Sequence, residues 1–397
     1  MEKLINITGK ALSGEWGIDD EEGIGIPVLR TTNFTNDGII DYSNVITRTI
    51  TKKNIADKFL RKGDIIIEKS GGSDNKPVGR VVYFDNDENK YLFNNFTGLL
   101  RVKDTTKWLP KYIFYSLFAN YQSGGTRRYE NKTTGLHNLQ TDFYVKDFEI
   151  KEISYGEQIE ICELFDGITD LIDKRKRQLE KLDELVKSRF IEMFGDPVSN
   201  PYGLPVVALG ELSELITKGA SPSWQGFSYT DDSSQTLFVT SENVREGYID
   251  LSSPKYIEDG FNEKQRRSVI HKGDFLINIV GASIGRAAQF NLDCKANMNQ
   301  ASALVRIKDD RVSNKYLLIY LNSEKAQMMY DSMKSDTGRA NLSLQDISNL
   351  SILLPPIEQQ TELERFVKQT DKSKFEIKQS LEKLELLKKA LMQKYFG

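Results

Sequence analysis

Residues 178–195 read QLEKLDELVKSRFIEMFG, and residues 379–397 read QSLEKLELLKKALMQKYFG. The same helix ending is written twice, and neither copy holds a catalytic arrangement of side chains. Around each copy, apolar residues recur at alternating steps of three and four, the spacing of a coiled-coil seam. In the first run they are Ile161, Phe165, Ile168, Ile172, Leu179, Leu182 and Val186, with Arg175 interrupting. In the second they are Leu363, Val367, Thr370, Ile377, Leu381, Leu384, Leu387 and Leu391. A helix of about 37 residues is roughly 55 Å long, longer than an ordinary domain is wide. It cannot hide such a stripe by itself, so each helix is expected to bury the other.

Outward from the two helices the duplication continues. RKGDIIIEKSGGSDNKPVGRVVYF (61–84) has a counterpart in HKGDFLINIVGASIGRAAQF (271–290), and LLRVKD (99–104) in LVRIKDD (304–310). GEQIEICELFDGITD (156–170) matches IEQQTELERFVKQTD (357–371), and TNFTNDGIID (32–41) matches ENVREGYID (242–250). The pieces keep their order, as in a true internal repeat. Four segments follow: a globular domain over 1–155, a helix over 156–195, a second globular domain over 196–355 and a second helix over 356–397. Within the globular parts, β-branched and aromatic runs such as DIIIE, GRVVYF, DFLINIV and SALVRI are bounded by Gly, Asn and Asp, which predicts strands and turns. KYIFYSLFANYQS (111–123) and NKYLLIYLNSEKAQMMYDSM (314–333) carry helical spacing.

Connectivity sets the direction of pairing. The second globular domain joins the first helix through GDPVSNPYGLP (195–205) and the second through LLPPIEQ (353–359), whose prolines stop extended structure just before the helix. Parallel helices would put those attachment points a helix length apart, whereas antiparallel ones bring them together. The expected fold is α+β: two similar mixed domains separated by two long helices in an antiparallel coiled coil, with approximate two-fold symmetry.

Composition narrows the class. The chain has 397 residues, 39% of them hydrophobic and 28% charged, which suits a globular protein of several domains. No apolar run approaches the length of a membrane span, and MEKLINITGK lacks the apolar centre of a signal peptide. Cys162 and Cys294 match no disulfide or zinc spacing, as expected for packed thiols in a reducing cytoplasm. Lys and Arg number 54 against 57 Asp and Glu, and no segment is strongly basic. Any binding of DNA by the chain alone is therefore expected to be weak and to need a partner's positive surface.

The duplicated domains, each followed by a helix, together with KGD, LPPIEQQ and a terminal LEKL…LKKALMQKYFG, resemble the specificity subunit of a type I restriction-modification system. The resemblance spans nearly the whole chain. One departure is ISYGEQ (153–158), which stands where the second copy has LLPPIEQ. The resemblance implies that each globular domain recognises half of a split, asymmetric sequence in double-stranded DNA. It also implies that the helices space the domains and dock two methyltransferase subunits, with restriction and translocase subunits joining the complex. S-adenosylmethionine, ATP and Mg would then sit on the partners, with no cofactor on this chain.

Base edges are read by side chains projecting from a positioned scaffold, so the candidate contacts lie in loops. In the first domain they are Lys69, Ser73, Asn75 and Lys76 in KSGGSDNK, Arg127, Arg128 and Lys132 in GGTRRYENK, and His137 and Asn138 after it. In the second they are Thr240 and Asn243 in TSEN, Ser283 in VGASIGR, and Lys334, Arg339 and Asn341 in KSDTGRANLS. Asn33 and Asn243 fit turn capping as well as base contact. The glycines of SGG and VGASIG lack the Lys-Ser/Thr ending of a phosphate loop and read as tight turns.

Enzyme readings fare worse. A DNA methyltransferase needs an Asn/Asp-Pro-Pro-aromatic motif, and NPY (200–202) lacks the second proline. Asp142 followed by Glu149-Ile150-Lys151 only faintly imitates a nuclease metal site. His137 and His271 have no neighbouring nucleophile or metal-ligand spacing. The remaining alternative is a coiled-coil scaffold that joins two protein-binding domains, which a near-neutral charge suits.

Overall fold

The computed structural model describes residues 1–133, 136–196, 199–333 and 341–397. The chain divides into two compact units, Met1–Lys176 with Lys378–Gly397, and Arg177–Ile377. The division cuts both long helices, so each unit holds one globular domain with segments of both. The helices run Tyr155–Phe194 and Ile357–Phe396, 40 residues each.

In the first unit a four-stranded antiparallel sheet has the order Leu12–Ser13, Thr97–Leu100, Ile65–Glu68, Val81–Tyr83. A second four-stranded sheet runs Ile18–Asp19, Ile46–Thr49, Ile26–Leu29, Leu92–Phe93, its last pair parallel. The second unit repeats both. Ser213–Lys218, Ser302–Ile307, Phe275–Asn278 and Ala287–Gln289 form the antiparallel sheet. Tyr229–Thr230, Tyr256–Ile257, Thr236–Val239 and Ala296–Met298 form the mixed one, again ending in a parallel pair. The segment 111–123 folds as the helix Pro110–Gln122, whereas 314–333 breaks into Asn314–Leu321 and Glu324–Met333. The side-chain amide of Asn322 at that break donates to the Leu318 and Ala287 carbonyls, drawing the chain off the helix axis.

The repeated KGD motif is structural. Asp64 and Asp274, each buried, accept from the backbone N–H three residues earlier and take both arms of a guanidinium, Arg101 at 2.7 and 2.6 Å and Arg306 at 2.8 and 2.7 Å. The arginines come from LLRV and LVRI, which explains why the two motifs recur together: neither buried charge is tolerable alone.

The helix ending also has a packing role. Phe194 is fully buried in the second unit, with its ring 5.2 Å from that of Tyr316, and Phe396 lies 5.5 Å from Tyr112 and 5.8 Å from Phe165 in the first. Each ending therefore plugs the core of one globular domain. In the first unit, then, the start of helix one meets the end of helix two. In the second, the end of helix one meets the start of helix two, where Arg189 pairs with Glu362 at 2.7 Å and Asp183 with Lys374. The helices run in opposite senses.

Phe165, Ile168, Ile172, Leu363, Val367 and Thr370 are buried, and Ile161, Leu179, Leu182, Val186, Ile377, Leu381, Leu384 and Leu391 are partly buried. Leu387 requires correction, being 47% exposed. From Ile377 the alternation runs four to Leu381, three to Leu384 and then four, which selects Lys388. Burial holds that ammonium below the usual lysine range.

Both joints between domain and helix are latched by a glutamine. Gln158 accepts from the Leu109 N–H at 2.8 Å and donates to the Lys107 carbonyl at 3.0 Å; Gln360 accepts from the Ser313 N–H and donates to the Arg311 carbonyl, both at 2.8 Å. The proline-free first joint is closed by a capping box in which Ser154 and Glu157 bond reciprocally.

Candidate nucleic-acid interface

One end of each antiparallel sheet collects the candidate residues. In the first domain the strand Ile65–Glu68 runs out at Glu68, and the chain turns into Ser70–Gly72, the edge of a three-stranded sheet completed by Leu136–Leu139 and Glu130–Thr133. This sheet brings together Lys69, Ser73, Asn75, Lys76, Arg127, Arg128, Lys132 and Asn138, which the sequence scatters over 70 positions. Ser73 and Lys76 close a hairpin through reciprocal backbone bonds of 2.7 and 3.1 Å. That closure leaves Asn75 exposed at the tip. Arg127 donates to the Asp74 carbonyl at 3.1 Å, while Arg128 lies 4.9 Å over the Tyr129 ring; both guanidinium groups remain exposed. Lys69 is half-buried, donates to Ser13 Oγ at 2.9 Å, and is held by burial below the usual lysine range.

Behind the edge lies an ion pair that sequence reasoning missed. Glu68 and Arg80 are buried 3.2 Å apart, and Arg80 also donates to the Phe34 and Thr31 carbonyls at 2.7 and 2.8 Å. Burial raises the Glu68 carboxyl above its ordinary range, against the pull of Arg80. The pair ties the loop at 69–76 to the turn at 31–33. In the second domain Asn278 takes the place of Glu68, donating to the Ser241 carbonyl at 2.9 Å and to Ser283 Oγ at 3.1 Å, and accepting from Ser302 at 2.8 Å. The sequence signal was a polar residue ending an otherwise apolar strand in both copies, DIIIE and DFLIN.

Three candidates are corrected by burial. Asn243 accepts from the Thr240 N–H and hydroxyl at 2.9 and 3.0 Å and donates to the Asp250 carbonyl at 3.0 Å; Asn33 spans the equivalent turn, from the Arg30 N–H to the Asp41 carbonyl. Thr240 and Asn243 are buried, with these polar groups engaged in the turn, so they shape the scaffold rather than meet a base edge. His137 is buried too, its Nδ1 2.8 Å from Glu130 Oε2. In the second domain Asn341 bridges Val280 in antiparallel fashion, which brings it to the same end as Ser283. Lys334 and Arg339 lie outside the described residues.

Asp142 is in the helix Thr141–Asp147, and Glu149 pairs with Lys3 in a short strand. Asn200 of the NPY stretch bonds both the Leu204 N–H, at 2.8 Å, and its carbonyl, at 2.9 Å, as a turn residue does. Burial pushes the Cys162 thiol up to about 12. Among the described residues no cluster of three metal-ligating side chains occurs, and no helix is long and apolar enough to cross a membrane.

Two copies of one α+β domain, each presenting a loop-bearing sheet end and each followed by a long helix, define a class of duplicated recognition proteins. The type I restriction modification DNA specificity domain matches residues 3–183 and again 203–388, and the chain belongs to that family. Among curated relatives, the EcoBI specificity subunit of Escherichia coli is 28% identical over 360 residues, covering 81% of this chain and 73% of the relative. The EcoKI specificity subunit of E. coli strain K12 is 22% identical over 401 residues, covering 94% and 82%. Solved structures agree on the fold. A chain from a study of complex assembly and conformational transition in the type I R-M system superposes with a TM-score of 0.62 at 18% identity, covering 99% of this chain and 96% of that one. The S subunit of M. genitalium gives 0.55 at 15% identity, covering 100% and 95%.

Proposed function

We propose that this chain is the DNA-specificity subunit of a type I restriction-modification complex, reading a bipartite, asymmetric target in double-stranded DNA and carrying no chemistry of its own. The observation that supports this most is the match of the specificity-domain family to both halves, combined with the loop-bearing sheet end repeated in each unit. Half-sites read from one face of B-DNA lie about one helical turn, roughly 10 base pairs, apart. Two methyltransferase subunits dock on the long helices, and a restriction and translocase subunit completes the complex. S-adenosylmethionine binds the methyltransferase, and ATP and Mg the motor. The work is done in the cytoplasm.

Near-neutral charge, 54 basic against 57 acidic residues, means that affinity for phosphates is supplied largely by the partners. The same neutrality suits a non-DNA scaffold, but membership of the specificity family disfavours that reading. Co-expression with the cognate methyltransferase followed by genome-wide mapping of methylated bases tests the proposal. One split motif with an unread spacer is expected. Methylation without a split motif contradicts it, as does methyl transfer or strand cleavage by the purified chain alone.

A further inference from the structure

The first domain carries two exposed rings at its sheet end where the second has none at the equivalent positions. The turn that leads into Thr97–Leu100 presents Phe96 at 54% exposure, and the helix Thr141–Asp147 presents Phe143 at 66%. Lys69 lies between them: its N–H donates to the Phe96 carbonyl at 2.8 Å, its own carbonyl accepts from the Leu139 N–H at 2.8 Å, and its ammonium feels the charge of Asp142. The second domain builds the same backbone. There the Ile279 N–H donates to the Ala301 carbonyl at 3.0 Å, and the Ile279 carbonyl accepts from Leu342 at 2.9 Å. Alanine thus replaces Phe96, the third helical residue is Asp346 in place of Phe143, and buried Ile279 replaces Lys69.

That comparison removes the structural explanation for the two rings. The turn and the helix form without them in the second domain, and neither ring is buried in the first. Both flank Lys69, from which the chain leads into the turn at 73–76 that Arg127 bonds through the Asp74 carbonyl. This is the face proposed to meet DNA, so the occupant it points to is the duplex. In the major groove the apolar group available to a phenyl ring is the 5-methyl of thymine.

We propose that Phe96 and Phe143 form an apolar contact with a thymine methyl in the half-site read by the first domain, an element of specificity absent from the second. This rests on the DNA-reading function proposed above. The test uses the assembled complex with its methyltransferase and duplexes carrying the mapped target, in which each thymine of either half-site is replaced in turn by deoxyuridine. Base pairing is kept and only the methyl is lost. Wild type is expected to bind about four-fold more weakly for one buried methyl, at one or two positions of the first domain's half-site. That penalty is expected to disappear in F96A or F143S, whose exposed positions leave thermal stability unchanged.

The inference is overturned if no deoxyuridine in that half-site alters binding, if the penalty survives in both variants, or if the half-site contains no A·T pair. It is overturned equally if the variants lose methyltransferase assembly while keeping the penalty. Absence of any sequence-specific binding by wild type is a separate outcome: it overturns the DNA-reading function and this inference with it.

Discussion

At the residue scale, Gln158 and Gln360 do the same job in the two copies, each satisfying a backbone N–H and carbonyl from a segment about 50 positions earlier in the chain. Removing either side chain leaves those partly buried groups to water or unpaired, which costs at most about 1–3 kcal/mol. Q158A and Q360A are therefore each expected to lower the denaturant midpoint by a similar amount; no change in either would refute the latch. Glu157 makes a pH-dependent contribution. Its carboxylate accepts from the Ser154 hydroxyl and N–H and is held below the ordinary range, so this stabilisation is complete above the unfolded value and is lost as pH falls through the lowered one. Amide protection at the start of the first helix should accordingly drop below pH 4.5, and S154A, which removes the hydroxyl bond but keeps the N–H one, should weaken that dependence. The repeated Glu-Gln, Glu157-Gln158 and Glu358-Gln359, was visible in the sequence but matches the copies one residue out of step: the counterpart of Gln158 is Gln360, because the latch's partners are fixed only by tertiary structure. The same holds for Asn243, whose residue type suited a base contact and a buried turn equally until burial decided between them.

At the element scale, the coiled-coil stripe is a local signal and was legible almost throughout. The exception, Leu387, arose where leucines at 384, 386 and 387 offered competing steps and only the strict alternation of three and four selected Lys388. L387A is expected to shift stability by less than about 0.5 kcal/mol, as exposed substitutions do, whereas F194A, which empties a fully buried site against Tyr316, should cost about 3–5 kcal/mol. Equal losses in chemical denaturation would contradict the register. Strand pairing was less legible. DIIIE and DFLINIV announce strands, but the parallel pairs Ile26–Leu29 with Leu92–Phe93 and Thr236–Val239 with Ala296–Met298 join segments about 60 residues apart, which no local pattern encodes. The three-stranded sheet that gathers Lys69, Arg127 and Asn138 is non-local in the same way, so the sequence could name loops without showing that they meet.

At the scale of the whole molecule, duplication is the property from which the functional reading grows, and it was the most legible of all. It appears as repeated words in fixed order, of which KGD and the Phe-Gly ending are each tied to a contact made twice. The copies differ in the core, as at Ile65 against Phe275, and also at the sheet end, as at Glu68 against Asn278 and Phe96 against Ala301, the latter being expected of two readers with different targets on one scaffold. The claim that these readers act independently is tested most directly by exchanging residues 1–155 for the corresponding domain of a related specificity subunit and mapping the methylated motif in cells that supply the methyltransferase. The account predicts that one half-site changes while the other half-site and the spacer length stay as they were. A change in both half-sites would contradict it.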